Sequence, residues 1–136
     1  MPTKAIVDTG PLILLADEST KQERRRWLQA LVRKDVSMLI PPGVATEFLR
    51  GARDHRSAYW WLSHLQGIDT TYEVGHRAGL LLRQLRDPGV SVIDAQVVQH
   101  AIEEDAVVLT SDLGDLRRLA SVSGRNIRIL ELPWPI

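Results

Sequence analysis

Three short apolar runs in this chain each stop at a helix-start signal, and this recurrence constrains the fold more than any other feature. Residues 4–7 run into DTGP (residues 8–11), where Asp8 or Thr9 can cap a helix and Pro11 suits its first turn. SMLI (37–40) stops at Pro41 and Pro42, ahead of a helical GVATEFLRGA (43–52). AVVLT (106–110) stops at SDLGD (111–115), ahead of a helical LRRLA (116–120). Short apolar runs suit strands buried on both faces. Strands that alternate with helices predict a mostly parallel sheet covered on both sides.

Between these landmarks the pattern predicts helices over residues 11–16 and 23–32. The helix from Gly43 either continues or restarts through AYWWLSHL (58–65). A third strand is expected at 68–72 and a helix at 74–86, with Asp87-Pro88-Gly89 as the break before the next helix. A last strand is expected at 126–132, ended by Pro133. No internal repeat, low-complexity tract or linker interrupts this order, so one α/β domain is expected over residues 1–136. That length supports a real hydrophobic core but would cramp two.

The helix from Val90 to Ala101 contains one position at odds with its surroundings. Asp94 shares a helical face with Val97, Val98, Ala101 and Ile102, the phase of a core-facing stripe. A carboxylate there must lose its charge or find a partner, since an unpaired buried ion costs several kcal/mol. Other acids fall where a strand has just ended or a helix has just begun. Asp8 follows the first apolar run, Glu47 lies in the first turns after the second, and Asp112 and Asp115 follow the third. In open α/β sheets, ligands bind outside the carboxyl ends of the strands.

Each acid also has a plainer explanation. Asp8 and Asp112 can serve as N-caps, Asp112 with Asp115 resembles a capping box, and acids in a first helical turn suit the helix dipole. Glu47 is less easily explained, because it shares a face with Val44, Phe48 and Gly51. Capping does not account for Asp94. Several inward carboxylates together call for a cation, and an all-oxygen ligand set suits Mg²⁺ or Mn²⁺.

Other chemistries fit poorly. The chain has no cysteine, and its four histidines are scattered without an HExxH or Cys/His cluster, which disfavours zinc, disulfides and thiol nucleophiles. No GxSxG, GxxxxGK[ST] or GxGxxG motif is present, which disfavours serine hydrolases, P-loop NTPases and dinucleotide enzymes. What remains is metal-assisted phosphodiester hydrolysis. With no apolar stretch near a membrane span and no secretion-signal pattern, the expected location is the cytoplasm.

At four places the chain resembles the PIN-domain ribonucleases, and in particular the small VapC-type toxins of prokaryotic toxin–antitoxin pairs. The likeness rests on IVDTGPLI (6–13), TEFLRG (46–51), IDAQVV (93–98) and LTSDLGDL (109–116), and it spans nearly the full length. It implies a three-layer α/β/α sandwich around a parallel sheet, with acids that bind Mg²⁺ or Mn²⁺ and cleave RNA. Position by position, Asp8, Glu47, Asp94 and Asp112 match the acidic quartet, and Asp115 matches a further acid. The resemblance implies one ion held by Asp8, Asp94 and Asp112, directly or through water, with Asp115 as an additional ligand. Glu47 would orient the attacking water or share an ion. Ser91 stands where many relatives carry another acid, which weakens the case for a second ion. Thr9 and Ser111 are candidates for holding carboxylates or substrate. The resemblance further implies a VapB-like antitoxin whose tail covers the acids, and a homodimer.

Net charge is zero, but the charges are segregated. Residues 21–56 hold nine Lys or Arg against four acids, whereas residues 87–115 hold seven acids and no Lys or Arg. An acidic pole beside a basic rim suits a metal site next to a phosphate backbone, and a solvated surface gives the same pattern. Arg50 and Arg53, expected on the helix of Glu47, are the favoured RNA contacts. Arg24, Arg25 and Arg26 before Trp27 are weaker candidates. Trp60 and Trp61 suit the core, with base stacking as the alternative, and LLLRQL (80–85) reads as core.

Two other readings compete with a toxin. One is a PIN nuclease of RNA processing or DNA. The other is a non-catalytic module, either a PIN domain that only binds RNA or protein or a receiver-like domain. The intact quartet argues against a dead nuclease, and the late strands lack the lysine a receiver would want.

Overall fold

The structure is a computed structural model that describes residues 3–16, 22, 26, 29–31 and 33–131. Among these residues the chain runs β1 (Thr3–Val7), α1 (Thr9–Ala16), β2 (Val36–Ile40), α2 (Pro42–Gly51), α3 (His55–Ser63), β3 (Gln66–Gly67), α4 (Tyr72–Leu85), α5 (Val92–Glu104), β4 (Val107–Thr110), α6 (Gly114–Ser123) and β5 (Ile129–Glu131). The predicted helix over 23–32 lies largely outside the described residues, as do Arg24, Arg25 and Trp27. Its described members Ala30 and Leu31 are helical and buried in the core. The strand end expected at Pro133 also lies outside them.

The five strands form one sheet in the order β3-β2-β1-β4-β5, and every pairing is parallel. β1 sits at the centre because Ala5, Ile6 and Val7 are apolar on both faces of the pleat, and all three are fully buried. From β1 the chain steps outward through β2 to β3, then crosses back to β4 and outward to β5. Right-handed crossovers place α1–α3 on one face and α4–α6 on the other. The packing agrees, since α1, α2 and α3 touch one another, as do α4, α5 and α6. The fold is therefore the expected three-layer α/β/α sandwich.

Phe48, Leu12 and Val44 fill the core beneath α1 and α2, and Val97, Val98, Leu116 and Leu119 fill it beneath α5 and α6. Each such side chain contributes roughly 1.5–3 kcal/mol by leaving water.

Several boundaries differ from the sequence reading. The third strand is Gln66–Gly67, not 68–72, because the Thr71 hydroxyl accepts from Val74 N at 3.2 Å and starts α4 at Tyr72. The last strand is shorter than 126–132 and is described as Ile129–Glu131, after Gly124 turns the chain in the left-handed region. The Gly43 helix restarts: α2 stops at Gly51, and α3 begins after Asp54, whose carboxylate accepts from Arg56 N. Trp61 is core, as expected, but Trp60 is exposed.

Candidate active site

β1 and β4 are neighbours, and the strand order turns between them, with β2 reached from one face and β5 from the other. A crevice at their carboxyl ends is where an open α/β sheet offers a ligand site. The parallel register pairs Val7 with Leu109, and Asp8 N continues it by donating to Leu109 O at 2.9 Å. Asp8 and Thr110 thus come side by side at the sheet end. Thr110 is fully buried, and its hydroxyl donates to Asp8 Oδ2 at 2.9 Å while accepting from Asp112 N at 3.0 Å. Asp8 Oδ1 accepts from Thr9 N at 2.8 Å. The carboxylate is gripped at both oxygens.

Glu47 arrives from the second turn of α2. Its Oε1 accepts from the Thr9 hydroxyl at 2.9 Å, so α1 and α2 are tied together at the crevice. Asp94 arrives from the first turn of α5, on the opposite face of the sheet. Gly43 permits this approach, because a Cβ there would lie only 3.1 Å from Ile93 Cγ1 and 3.3 Å from Gln96 Oε1. Asp112 opens α6, its Oδ1 accepting from Gly114 N at 3.1 Å, and Asp115 follows in the first turn.

Electrostatics show how these acids act on one another. Asp94 is pushed up from 3.8 to about 7, first by burial and then by the charges of Asp8, Asp115, Glu47 and Asp112. Asp8 is also raised, mainly by burial. Its hydrogen bonds from Thr9 and Thr110 pull it down, and Glu47 and Asp112 push it up. Asp94 therefore feels all four of the other predicted acids.

Among the described residues, no three His, Asp or Glu side chains stand at the spacing that direct coordination of one ion requires. The chemistry of the donor set still fits a hard divalent cation, which keeps several waters and needs only one or two direct carboxylates.

The remaining sequence candidates divide. Thr9 holds Glu47, as proposed for it. Ser111 is exposed and binds no carboxylate among the described residues. Its hydroxyl occupies the space beside Gly10, where any Cβ would collide with it. Arg50 lies 4.0 Å from Glu47 Oε2 and is largely exposed. Arg53 is exposed but lies beyond the end of α2, because the chain turns extended at Ala52; the expectation that it shares the helix of Glu47 is corrected. Ser91 does not add charge: its hydroxyl caps α5 by accepting from Ile93 N and Asp94 N. Asp115 is held by Arg118 at 3.2 Å, and Arg118 also binds Asp87 at 2.9 Å.

Sequence reasoning missed Thr110, Gly10, Gly43 and Arg118 as parts of this site. Only Arg118 left a direct sequence signal, three residues after Asp115 on a helix. Thr110 read simply as the end of a strand.

A five-stranded parallel sheet with acids at the carboxyl ends of β1 and β4 defines an α/β domain of the open, parallel class. The chain belongs to the PIN-domain family: the model of that family matches residues 5–122. Solved structures agree in fold. A chain of the VapBC2 complex from Rickettsia felis, bound to a promoter DNA fragment, is 19% identical. It aligns at a TM-score of 0.72 over 95% of this chain and 98% of that one. VapBC-1 from nontypeable Haemophilus influenzae gives 15% identity and a TM-score of 0.70, with the same coverage of 95% and 98%. VapC20 from Mycobacterium tuberculosis, a toxin that cleaves the sarcin-ricin loop, gives 15% and 0.60 over 75% of this chain and 84% of that one. No curated protein matches the sequence.

Proposed function

We propose that this chain is a metal-dependent endoribonuclease and the toxin of a type II toxin–antitoxin pair that inhibits translation. The observation that carries the reading is the gathering of Asp8, Glu47, Asp94, Asp112 and Asp115 at the β1/β4 switch point, where their charges act on Asp94. Like charges brought together in a half-buried crevice are a liability that a divalent cation relieves.

Asp8, Asp94 and Asp112 would hold one Mg²⁺ or Mn²⁺, partly through water, with Asp115 contributing from α6. Bound there, the ion would supply a water of lowered pKa and shield the charge building on the phosphate. Asp8 is pre-oriented by Thr9 N and the Thr110 hydroxyl. Glu47 spends one oxygen on Thr9, and the other, 4.0 Å from the exposed Arg50, would orient and deprotonate the attacking water. Ser91 adds no charge at the start of α5, which favours one ion over two. Arg50, Arg53, Thr9 and Ser111 would meet the RNA around the acids.

The toxin assignment is supported by the neighbours, whose descriptions name VapBC complexes and a VapC toxin. On this reading the chain is a single domain over 1–136 that acts in the cytoplasm, dimerises and is covered by a VapB-like antitoxin. No helix among the described residues is long and apolar enough to cross a membrane.

RNA cleavage in Mg²⁺ or Mn²⁺ tests the mechanism. EDTA should stop it, and Asp8→Asn and Asp94→Asn should abolish it. Equal rates for both variants and wild type would end the proposal. Growth arrest on expression, relieved by the partner encoded beside it, tests the toxin role. Arg118 already pairs with Asp115, which favours one second reading, a PIN domain that binds RNA or protein without cutting it. Calorimetric titration separates the two, because a binding-only module need not take up the ion.

A further inference from the structure

An RNA strand approaching five clustered carboxylates is repelled, so its affinity must come from cations placed around them. Arg50 and Arg53 stand on the α2 side. The sequence after Asp115 supplies a second basic region, with Arg117, Arg118, Arg125 and Arg128 against a single acid, Glu131. Arg118 is engaged by Asp87 and Asp115. Among the described residues, Arg117 and Arg125 have no carboxylate partner, and both are exposed.

These two arginines face one cleft of about 460 Å³ between α6 and the edge strand β5. Its rim carries Arg117, Ser121, Arg125 and Asn126, and its floor is apolar, with Ile127 and Ile129. Guanidinium groups suit a phosphate, an apolar floor suits the face of a base, and an Asn amide with a Ser hydroxyl suits a base edge. Asp115 stands in the first turn of α6, whereas Ala120, Ser121, Arg125 and Asn126 line the cleft towards the other end of the helix. A strand reaching from the acids to the cleft therefore runs roughly 9 Å or more along α6, a span of a few nucleotides.

We propose that this cleft is a second nucleotide-binding site, which holds one unstacked nucleotide of the RNA strand away from the cut. The inference rests on the RNA-directed reading above. The acids position the scissile phosphate, while the α6–β5 cleft anchors the strand and supplies positive charge that the crevice lacks.

The test is fluorescence anisotropy of the full chain with a short single-stranded RNA in EDTA, where metal-dependent cleavage cannot proceed. Arg117→Ala and Arg125→Ala should each weaken binding about tenfold. Each should also lower the slope of log Kd against log salt by about 0.7. Ser121→Glu, which places a negative charge in the cleft without removing an arginine, should weaken binding comparably. Competition by a nucleoside 5′-monophosphate well above that by inorganic phosphate supports a site for base and phosphate together. Equal competition by the two reduces the cleft to a bare anion site and overturns the proposal. It is also overturned if the folded double arginine variant keeps wild-type affinity and salt slope, or loses only affinity for an acidic polypeptide. Failure of the nuclease reading looks different: wild type would bind RNA and lose affinity on cleft substitution, yet never cleave. If wild type cleaves and the cleft variants show unchanged Kd and KM, the cleft alone is refuted.

Discussion

At its first turn α5 carries Asp94 among four other acids, and towards its far end it carries Glu103 among partners. Glu103 Oε1 accepts from Arg77 Nη1 at 2.6 Å and from Gln99 Nε2 at 3.0 Å, and Arg77 also binds Glu73 at 2.6 Å. These bonds, Arg77 foremost, hold Glu103 below the usual carboxylate range, whereas burial and like charge lift Asp94 to about 7. Between the two ends lies His100, buried and sharing a 2.7 Å hydrogen bond with Thr70 Oγ1. α4 thus supplies a counter-charge at one end of α5, and among the described residues no base pairs with Asp94 at the other. The contrast lies in where the fold places charge: Arg77 reaches Glu103, whereas the nearest charges acting on Asp94 are all acidic.

Substitution at the two ends should separate them most widely. Asp94→Asn is expected to lower the cleavage rate at least ~100-fold, the scale of losing a preorganised electrostatic group. Glu103→Gln should leave it near wild type. Comparable losses in both, measured as single-turnover RNA cleavage, would break the contrast.

Thr110→Val tests whether the crevice depends on its buried hydroxyl. Removing the bond to Asp8 Oδ2 from a fully buried site should cost about 1–2 kcal/mol in denaturant unfolding. It should also lower cleavage ~10–100-fold, as loss of an orienting partner does. A stable, fully active variant would show that the β1/β4 register alone orients Asp8.

The ends should also differ in pH response. Asp94 titrates higher in the fold than its unfolded value of 3.8, so the folded state holds the proton more tightly. In EDTA, the stability that Asp94 contributes should be fully present below about pH 4 and be lost as pH rises towards about 7. For a group this accessible, the decline is on the order of 1–2 kcal/mol after solvent screening. Asp94→Asn should reduce the slope, leaving the part due to Asp8, and millimolar Mg²⁺ should flatten it; a slope unchanged in the variant would assign it elsewhere.

His100 should respond with the opposite sign. Burial lowers its pKa below 6.5, partly offset by Glu104 and Glu103, so the unfolded chain takes up the proton first. Its stabilisation is present above pH 6.5 and is lost as pH falls below it. His100→Gln should shrink that acid limb, by a smaller amount than the Asp94 effect, and leave cleavage unchanged. Loss of cleavage in this variant would couple the two ends.

Much of this architecture was legible in the residues themselves. The apolar run 4–7 reads as a buried strand, and AVVLT (106–110) leads into a helix start just where β4 meets α6. Asp94 stood out because its phase on α5 contradicts its charge, and a local pattern suffices to show that. The short β3 was not legible, because Thr71 capping competes with strand pairing at the same residues. Nor was Thr110. A strand-terminal threonine acquires its role only when the parallel register brings it beside Asp8, 102 residues earlier. Gly10 and Gly43 likewise matter through what they admit from distant segments, Ser111 and Ile93. Local periodicity, caps and breakers determined the order of the elements and which acids sit at their ends. Only the tertiary structure decided which acids share one crevice, because strand order, register and close approach between segments are set by packing across the whole sheet.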